Sequence, residues 1–405
     1  MDYQVVVIGG GPIGAVAARC AAEAGARVLL AERRARPADP ACCAGLISPR
    51  TLPTLGASER SVLGTIRAVE AHSPGGRTLS LRADEVKAVV VDRSALEREL
   101  LDLAANAGVE VEMGTAARIE SEGRIGLRAS RGAECIVSAR VTIGADGPRS
   151  GVARSVGLTP PEHVLRAVQV TVEAPGEPVD RVGVHLGEAT APGFFGWSIP
   201  IGPDRVRVGL AVAGDVDPTP YLARLLDRCV RGGRVVSRTG GLIPISPTPC
   251  TVSGSTLLVG DAAGQVKPLS GGGLYTGGTC ARLAGRFAAE AASDDAPAER
   301  LRRYEAAWRE QVGREIAFGR SMRRVLARIP EENVDRIFAS LDGSGLLATL
   351  AEVADIDRFH RIVGDLAGRP SLWKEFVALA PLIAPAGATS PPGTPGVAPD
   401  SSRLL

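Results

Sequence analysis

Tyr3-Gln4-Val5-Val6-Val7-Ile8-Gly9-Gly10-Gly11-Pro12-Ile13-Gly14 opens the chain with an apolar run, a glycine-rich turn and the start of an Ala-rich stretch. The run predicts a buried strand over 3–8, and the stretch after the turn predicts a helix over about 12–25. Residues 27–31 (Arg-Val-Leu-Leu-Ala) predict a second strand, so the segment reads as a strand–helix–strand unit with a right-handed crossover. Gly9 permits the tight turn, Gly11 lets the backbone approach a pyrophosphate, and Gly14 lets helix and strand pack closely. The helix N-terminus adds amide donors and the positive end of a dipole. Glu32 ends the second strand, 18 residues after Gly14, where a carboxylate accepts hydrogen bonds from an adenosine ribose.

Two further glycine turns follow strand-like runs. Gly144-Ala145-Asp146-Gly147-Pro148-Arg149-Ser150 comes after Arg140–Ile143, which places the Asp146 carboxylate at a strand's C-terminal end beside the nucleotide. Leu258-Val259-Gly260-Asp261-Ala262-Ala263-Gly264 repeats the pattern, with Asp261 suited to a polyol hydroxyl and the amides after it to phosphate. Each turn alone is an ordinary Asp-Gly or Gly-Asp loop. Between them, Asp92 or Ser94 caps a helix expected over 94–107, and residues 109–143 alternate in polarity like a small antiparallel meander. Strands are expected at Val168–Val172, Val182–His185, Gly196–Pro200, Val206–Val212 and 255–259. Helices are expected at 218–231, 274–293 and 298–327, with shorter ones over 330–383.

The bulk numbers exclude several classes. The chain has 405 residues, is 45% hydrophobic and carries a net charge of +2, so it can bury a large core and shows no nucleic-acid footprint. No run of about 18 apolar residues predicts a membrane span, and no secretory signal is read at the start. Seven scattered cysteines include no CxxC pair and no zinc spacing. They suit a reduced, cytoplasmic protein and leave peripheral membrane contact open. No metal site is expected.

In their order and spacing the three glycine motifs resemble the FAD-dependent superfamily related to para-hydroxybenzoate hydroxylase. Val91-Asp92-Arg93-Ser94-Ala95-Leu96 is similar to that family's segment in which an Arg or Gln contacts FAD, which by resemblance is Arg93. Three more segments narrow the likeness to the geranylgeranyl reductase family, which saturates isoprenoid double bonds. They are Cys42-Cys43-Ala44-Gly45-Leu46-Ile47-Ser48, Pro192-Gly193-Phe194-Phe195-Gly196-Trp197-Ser198-Ile199-Pro200, and the run from Gly264 to Gly277. The family pattern has one cysteine where this chain has two, and the Cys-Ala-Gly match selects Cys43 over Cys42. The likeness covers about 1–325.

This resemblance implies an α/β fold: a Rossmann-like FAD-binding domain with an inserted antiparallel-sheet substrate domain and a C-terminal helical region. The expected divisions are 1–71, 86–163 and 250–295 for FAD, and 72–85 with 164–249 for substrate. Residues 296–384 are expected to be helical, and 385–405 a disordered tail. The implied FAD residues are Gly9, Gly11, Pro12, Ile13, Gly14, Glu32, Arg33, Cys43, Ala44, Arg93, Asp146, Gly147, Gly260, Asp261, Gly271, Gly272 and Gly273. The Gly271–Gly273 turn would let backbone approach the isoalloxazine, with a helix N-terminus near its pyrimidine end.

Saturating an unactivated alkene requires a hydride at one carbon and a proton at the other, and reduced flavin donates hydride. Cys43 is the expected catalytic residue, ordering a water or relaying the proton. Aromatic residues make up only 3% of the chain, yet Phe194, Phe195 and Trp197 fall within four positions. On a strand Phe195 and Trp197 share a face and Phe194 takes the other. Phe195, Trp197 and Pro200 are the expected substrate contacts, lining an apolar tunnel. His72, His163, His185 and His360 lie outside every motif, and Lys267 reads as a loop lysine beside the flavin or as merely solvated. The leading expectation is a monomeric FAD-dependent reductase of isoprenoid C=C bonds, served by an external electron donor (NADPH, a ferredoxin or a deazaflavin). The alternatives are a hydroxylase or epoxidase of the same fold, and a non-catalytic prenyl-binding escort.

Overall fold

The computed structural model describes residues 1–383 apart from 38–42, 131, 175, 177, 231 and 294–296. Cys42 and the tail expected over 385–405 therefore lie outside the described residues. In chain order, β1 (Tyr3–Ile8), α1 (Pro12–Glu23) and β2 (Val28–Glu32) form the opening unit, and β3 (Leu46–Ile47) and α2 (Thr51–Leu55) follow. Next come β4 (Val62–Ile66), β5 (Ala68–His72), β6 (Thr78–Arg82), β7 (Ala88–Val91) and α3 (Arg93–Asn106). Strands β8 (Glu110–Met113), β9 (Thr115–Ser121), β10 (Arg124–Ala129) and β11 (Glu134–Gly144) lead to α4 (Gly151–Ser155). Then β12 (Val164–Glu173), β13 (Arg181–His185), β14 (Gly196–Pro200) and β15 (Arg205–Val212) precede α5 (Thr219–Cys229) and β16 (Arg234–Pro244). After β17 (Val252–Ser253) and β18 (Thr256–Leu258) the chain is helical: α6 (Leu274–Ala292), α7 (Pro297–Trp308), α8 (Arg314–Leu326), α9 (Glu331–Leu341), α10 (Gly345–Val353), α11 (Phe359–Ala367) and α12 (Trp373–Ile383).

These strands form two large sheets and a small one between them. The first runs β17-β18-β11-β1-β2-β8, with β10 and β9 branching from β11. Around β1 it is parallel, with Val6 opposite both Thr142 and Leu29. Val5, Val6 and Val7 are fully buried, as expected for a strand covered on both faces. The second sheet runs β16-β12-β15-β14-β13-β5-β6 and is antiparallel except where β13 meets β5. Strands β3, β7 and β4 form the small sheet.

Three expectations change. Residues 110–113 leave the antiparallel meander and pair in parallel with β2, because Val111 and Met113 pack on the core beneath α1 and α3. The helix expected over 298–327 is broken by a π-helical turn at Arg309–Gly313. The aromatic residues do not alternate across a strand: β14 begins at Gly196, so Phe194 and Phe195 precede it and stack on each other, 4.2 Å between centroids.

The second sheet sorts its two faces by strand alternation. On β12 and β15, Val168, Val170, Val172, Val206, Val208, Leu210 and Val212 pack with Leu222 and Leu225 of α5. The intervening residues, Gln169 and Arg207 among them, look the other way, toward β7 of the small sheet and the segment after residue 42.

Candidate active site

The first glycine turn is shaped by what its neighbours leave room for. Gly9 has φ +109, and a Cβ there would overlap the Ala145 carbonyl. A Cβ on Gly14 would overlap the Gly9 carbonyl. Gly11 is different: its Cβ position has no heavy atom within 4 Å, so it faces open space at the N-terminus of α1. Ile13 fills the gap beside Gly260 and Gly277, which brings the first and third glycine motifs together.

Glu32 closes the turn from the second strand. One oxygen accepts the Gly10 amide at 2.7 Å, and the other accepts the Arg34 amide at 2.9 Å and Nε at 3.0 Å. Burial alone would raise this carboxyl, but the Arg34 amide and guanidinium and the Gly10 amide outweigh it, and its pKa falls below the usual range. Arg34 is thus the partner of Glu32, while Arg33 is exposed. The Asp146 carboxylate does not point outward from its turn. Its oxygens accept from Ser150 Oγ at 2.6 Å and from the amides of Gly151 and Val152 at 2.7 and 3.1 Å, so it caps α4. Gly147, with a Cβ position that meets nothing, leaves that turn open.

Arg93 and Asp261 stand out for their burial. Nε and Nη1 of Arg93 are buried without a hydrogen-bond partner. Burial pushes the Asp261 carboxyl up to about 6, against the opposing charge of Arg93. Asp261 Oδ1 lies 3.2 Å from the Cβ position of Gly273, so the third motif and the Gly271–Gly273 turn adjoin. A buried guanidinium and a strained carboxylate are stable only if something polar meets them. A dinucleotide with a polyol linker would do so, and the open space at Gly11 has room for its phosphates. The residues present therefore fit FAD.

On the other side, the Cys43–Gly45 segment is clamped by the second sheet. Gln169 Nε2 donates to the Cys43 carbonyl at 2.9 Å, and its Oε1 accepts from Trp197 Nε1 at 3.3 Å. Arg207 Nη1 donates to the carbonyls of Ala44 and Val91 at 3.0 and 3.2 Å. Burial lowers the Arg207 pKa, opposed by Cys43 and Asp92. Gly45, at φ +77, leaves room for that guanidinium. Cys43 Sγ is half-buried and sits 3.4 Å from the Gly45 amide, in position to accept from it.

Ala44, Phe194, Phe195, Ile243, Ile245 and Ile356 pack as partly buried apolar side chains against a cluster that contains Trp197 and Ile199. Phe195 meets Trp197 edge-on at 6.3 Å, and the Gly271 Cβ position is 3.6 Å from the Phe194 ring. Trp197 is a buried wall tied to Gln169, whereas Phe194 and Phe195 are only partly covered. Pro200 is buried at the far end of β14, opposite Val206. The structure thus brings together the first turn, Glu32, Arg93, Asp261 and Gly271–Gly273 on one side, and Cys43, Ala44, Phe195 and Trp197 on the other.

Sequence reading missed Gln169, Arg207 and Ile356. For the first two the signal was present: a polar residue alternating with valines on a strand is either solvated or reaching for a partner. Lys267 is also corrected. It is not solvated: it is buried and paired with Asp357 at 2.6 Å. Among the described residues no two cysteines form a disulfide, and no helix is long and apolar enough to cross a membrane.

Comparison with known proteins agrees with this geometry. Residues 2–213 match the FAD binding domain family. Digeranylgeranylglycerophospholipid reductase 1 of Methanopyrus kandleri is 33% identical over 360 residues, spanning 84% of this chain and 95% of the relative. Reductase 2 of the same organism is 32% identical over 395 residues, 92% of this chain and 98% of the relative. A geranylgeranyl bacteriochlorophyll reductase-like protein of Thermoplasma acidophilum shares the fold at a TM-score of 0.79 and 22% identity, over 93% of this chain and 99% of that one. The p-nitrophenol 4-monooxygenase of Pseudomonas putida shares it at 0.67 and 17%, over 87% and 96%. At those two identities the likeness is one of fold alone. By sequence and by the fit of its glycine turns to a flavin dinucleotide, the chain belongs to the digeranylgeranylglycerophospholipid reductase family and is an FAD-dependent oxidoreductase.

Proposed function

We propose that this protein saturates C=C bonds in the isoprenoid chains of a lipid, with Cys43 in the proton path and the Ala44–Trp197 chamber holding the chain. The observation that carries this is the Cys43 segment: its carbonyls are fixed by Gln169 and Arg207, its thiol is half-buried, and the next residue, Ala44, packs against the apolar Trp197 cluster. Bound and reduced, FAD would supply the hydride. Arg93 and Asp261 would hold its polar linker, and Gly11 with the start of α1 would receive its phosphates. Glu32 would face the adenosine ribose.

The chain's own residues do the rest. The chamber excludes water from the alkene, and Phe194 and Phe195 offer flat apolar surface. The Gln169 and Arg207 bonds keep the Cys43 backbone from shifting, so a proton held by its thiol, or by a water on it, stays in one place. An external donor of electrons is required, because each saturation consumes two electrons that the flavin must regain.

The test is an anaerobic incubation of the reduced holoenzyme with a digeranylgeranyl lipid, followed by mass spectrometry. Added pairs of hydrogens are expected. A requirement for oxygen, with oxygen in the product, would show a monooxygenase instead. Cys43→Ala should keep bound FAD and lose about 10²-fold or more in alkene reduction; undiminished turnover would remove the thiol from the proton path.

A further inference from the structure

One buried carboxylate outside every glycine motif ties three distant segments together. Asp357 is 2% exposed and lies in the loop between α10 and α11. Its Oδ1 accepts from Lys267 Nζ at 2.6 Å, and its Oδ2 accepts from Ser48 Oγ, which is itself 3.0 Å from Thr51 Oγ1. Lys267 and Ser48 are 5% and 3% exposed, so the whole network is dry. Lys267 Nζ also donates to the Ile356 carbonyl at 2.6 Å.

Both arms of this network end beside the candidate site. The Lys267 amide donates to the Gly272 carbonyl at 3.1 Å and its carbonyl accepts the Gly271 amide at 2.9 Å, so Lys267 braces the Gly271–Gly273 turn. Ser48 follows β3, the strand that leaves the Cys43 segment. Between the arms, Ile356 packs against the same Trp197 cluster as Ala44, Phe194 and Phe195. Exposed bonds fasten the same loop at its edges: Arg50 to Asp355 at 2.8 Å and Lys87 Nζ to the Glu352 carbonyl at 2.7 Å.

A buried ion pair adds little net stability compared with apolar side chains of the same volume, but it tolerates only one docking geometry. We infer that Asp357 is a positioning residue: through Lys267 and Ser48 it fastens the α10–α11 loop so that Ile356 closes the chamber over the Cys43 segment. The inference rests on the chamber being the substrate site. No atom of Asp357 need touch the reacting carbons.

The experiment measures closure directly, as the rate at which iodoacetamide alkylates Cys43, followed by peptide mass spectrometry on FAD-loaded and FAD-free protein. Asp357→Asn leaves the Lys267 charge unpaired and should raise that rate about tenfold or more. It should also raise KM for the lipid by more than it changes kcat. The double replacement Lys267→Met with Asp357→Leu removes both charges and should fall between the two. Should Asp357→Asn fail to fold, Ile356→Ala and Arg50→Ala loosen the same loop mildly and should raise alkylation roughly threefold. Alkylation within twofold of the wild type across the folded variants would overturn the inference. Wild-type protein that reduces no isoprenoid lipid would overturn the function proposed above and leave the alkylation result standing.

Discussion

Glu32 reaches Gly10 and Arg34, partners no more than 22 positions away, whereas the carbonyls of Cys43 and Ala44 are held by residues 126 and 163 positions along the chain. Both regions flank one candidate site, yet they fail differently. The first turn depends on space: a glycine is needed where backbone crowds it. The Cys43 segment depends on reach: polar side chains must arrive from a sheet that folds separately. One is broken by adding atoms and the other by removing them.

The largest effect should come from adding atoms at Gly14. Gly14→Val drives a side chain into the Gly9 carbonyl and should cost about 3 kcal/mol or more, read as loss of soluble, cooperatively melting protein. Gly11→Val sharpens the contrast, because its Cβ position meets nothing. It should melt like the wild-type apoprotein and yet purify without FAD; a fully loaded Gly11→Val protein would move the cofactor elsewhere.

Asp261 gives the next effect, with a sign that depends on FAD. Its folded pKa of about 6 lies above its unfolded value, so the folded apoprotein holds the extra proton, and stability falls as pH rises from about 4 to 6. Asp261→Asn should therefore stabilise the apoprotein by about 2–3 kcal/mol at pH 7 and flatten that slope in urea titrations, while weakening FAD binding. His185 works in the opposite direction. Burial, with His72 and Arg228, lowers it to about 4, so folding loses stability as pH falls from about 6.5 toward 4.

Removing atoms on the other side should act more gently. Gln169→Leu frees the Cys43 carbonyl and Trp197 Nε1, at a cost of about 1–3 kcal/mol, and should retain FAD while alkene reduction falls. Arg33→Ala should do least. Arg33 is exposed, so its removal should stay within about 0.5 kcal/mol of stability; a fall in FAD affinity would support the cofactor contact that the resemblance implies for it.

The same contrast explains what was legible in the sequence. The strand–turn–helix at 3–23 and Glu32 could be read because each constraint is local: a run, a turn and a spacing. The capping role of Asp146 could not be separated from a ligand role, since an Asp-Gly turn serves either. The stack of Phe194 on Phe195 was hidden because alternation was applied to residues that precede the strand, which begins at Gly196. Strand β16, with Gly240 and Gly241 inside it, carries a loop-like composition, and the Gly240 Cβ position lies only 3.2 Å from the Ala167 carbonyl. Ile356 and Asp357 carried no signal at all, because their meaning lies in partners up to 309 positions away.

That last separation sets an order of assembly during synthesis. A ribosome releases the chain from its N-terminus, and domains fold as they emerge. The parallel sheet is complete once β18 is out, at Leu258, so the flavin half has its full strand set while the C-terminal helices are still being made. The Asp357 loop arrives nearly a hundred residues later, and until then neither Lys267 nor Ser48 has its buried acceptor. A nascent chain can therefore complete the strands of its flavin half before the Asp357 loop is there to join Lys267 to Ser48.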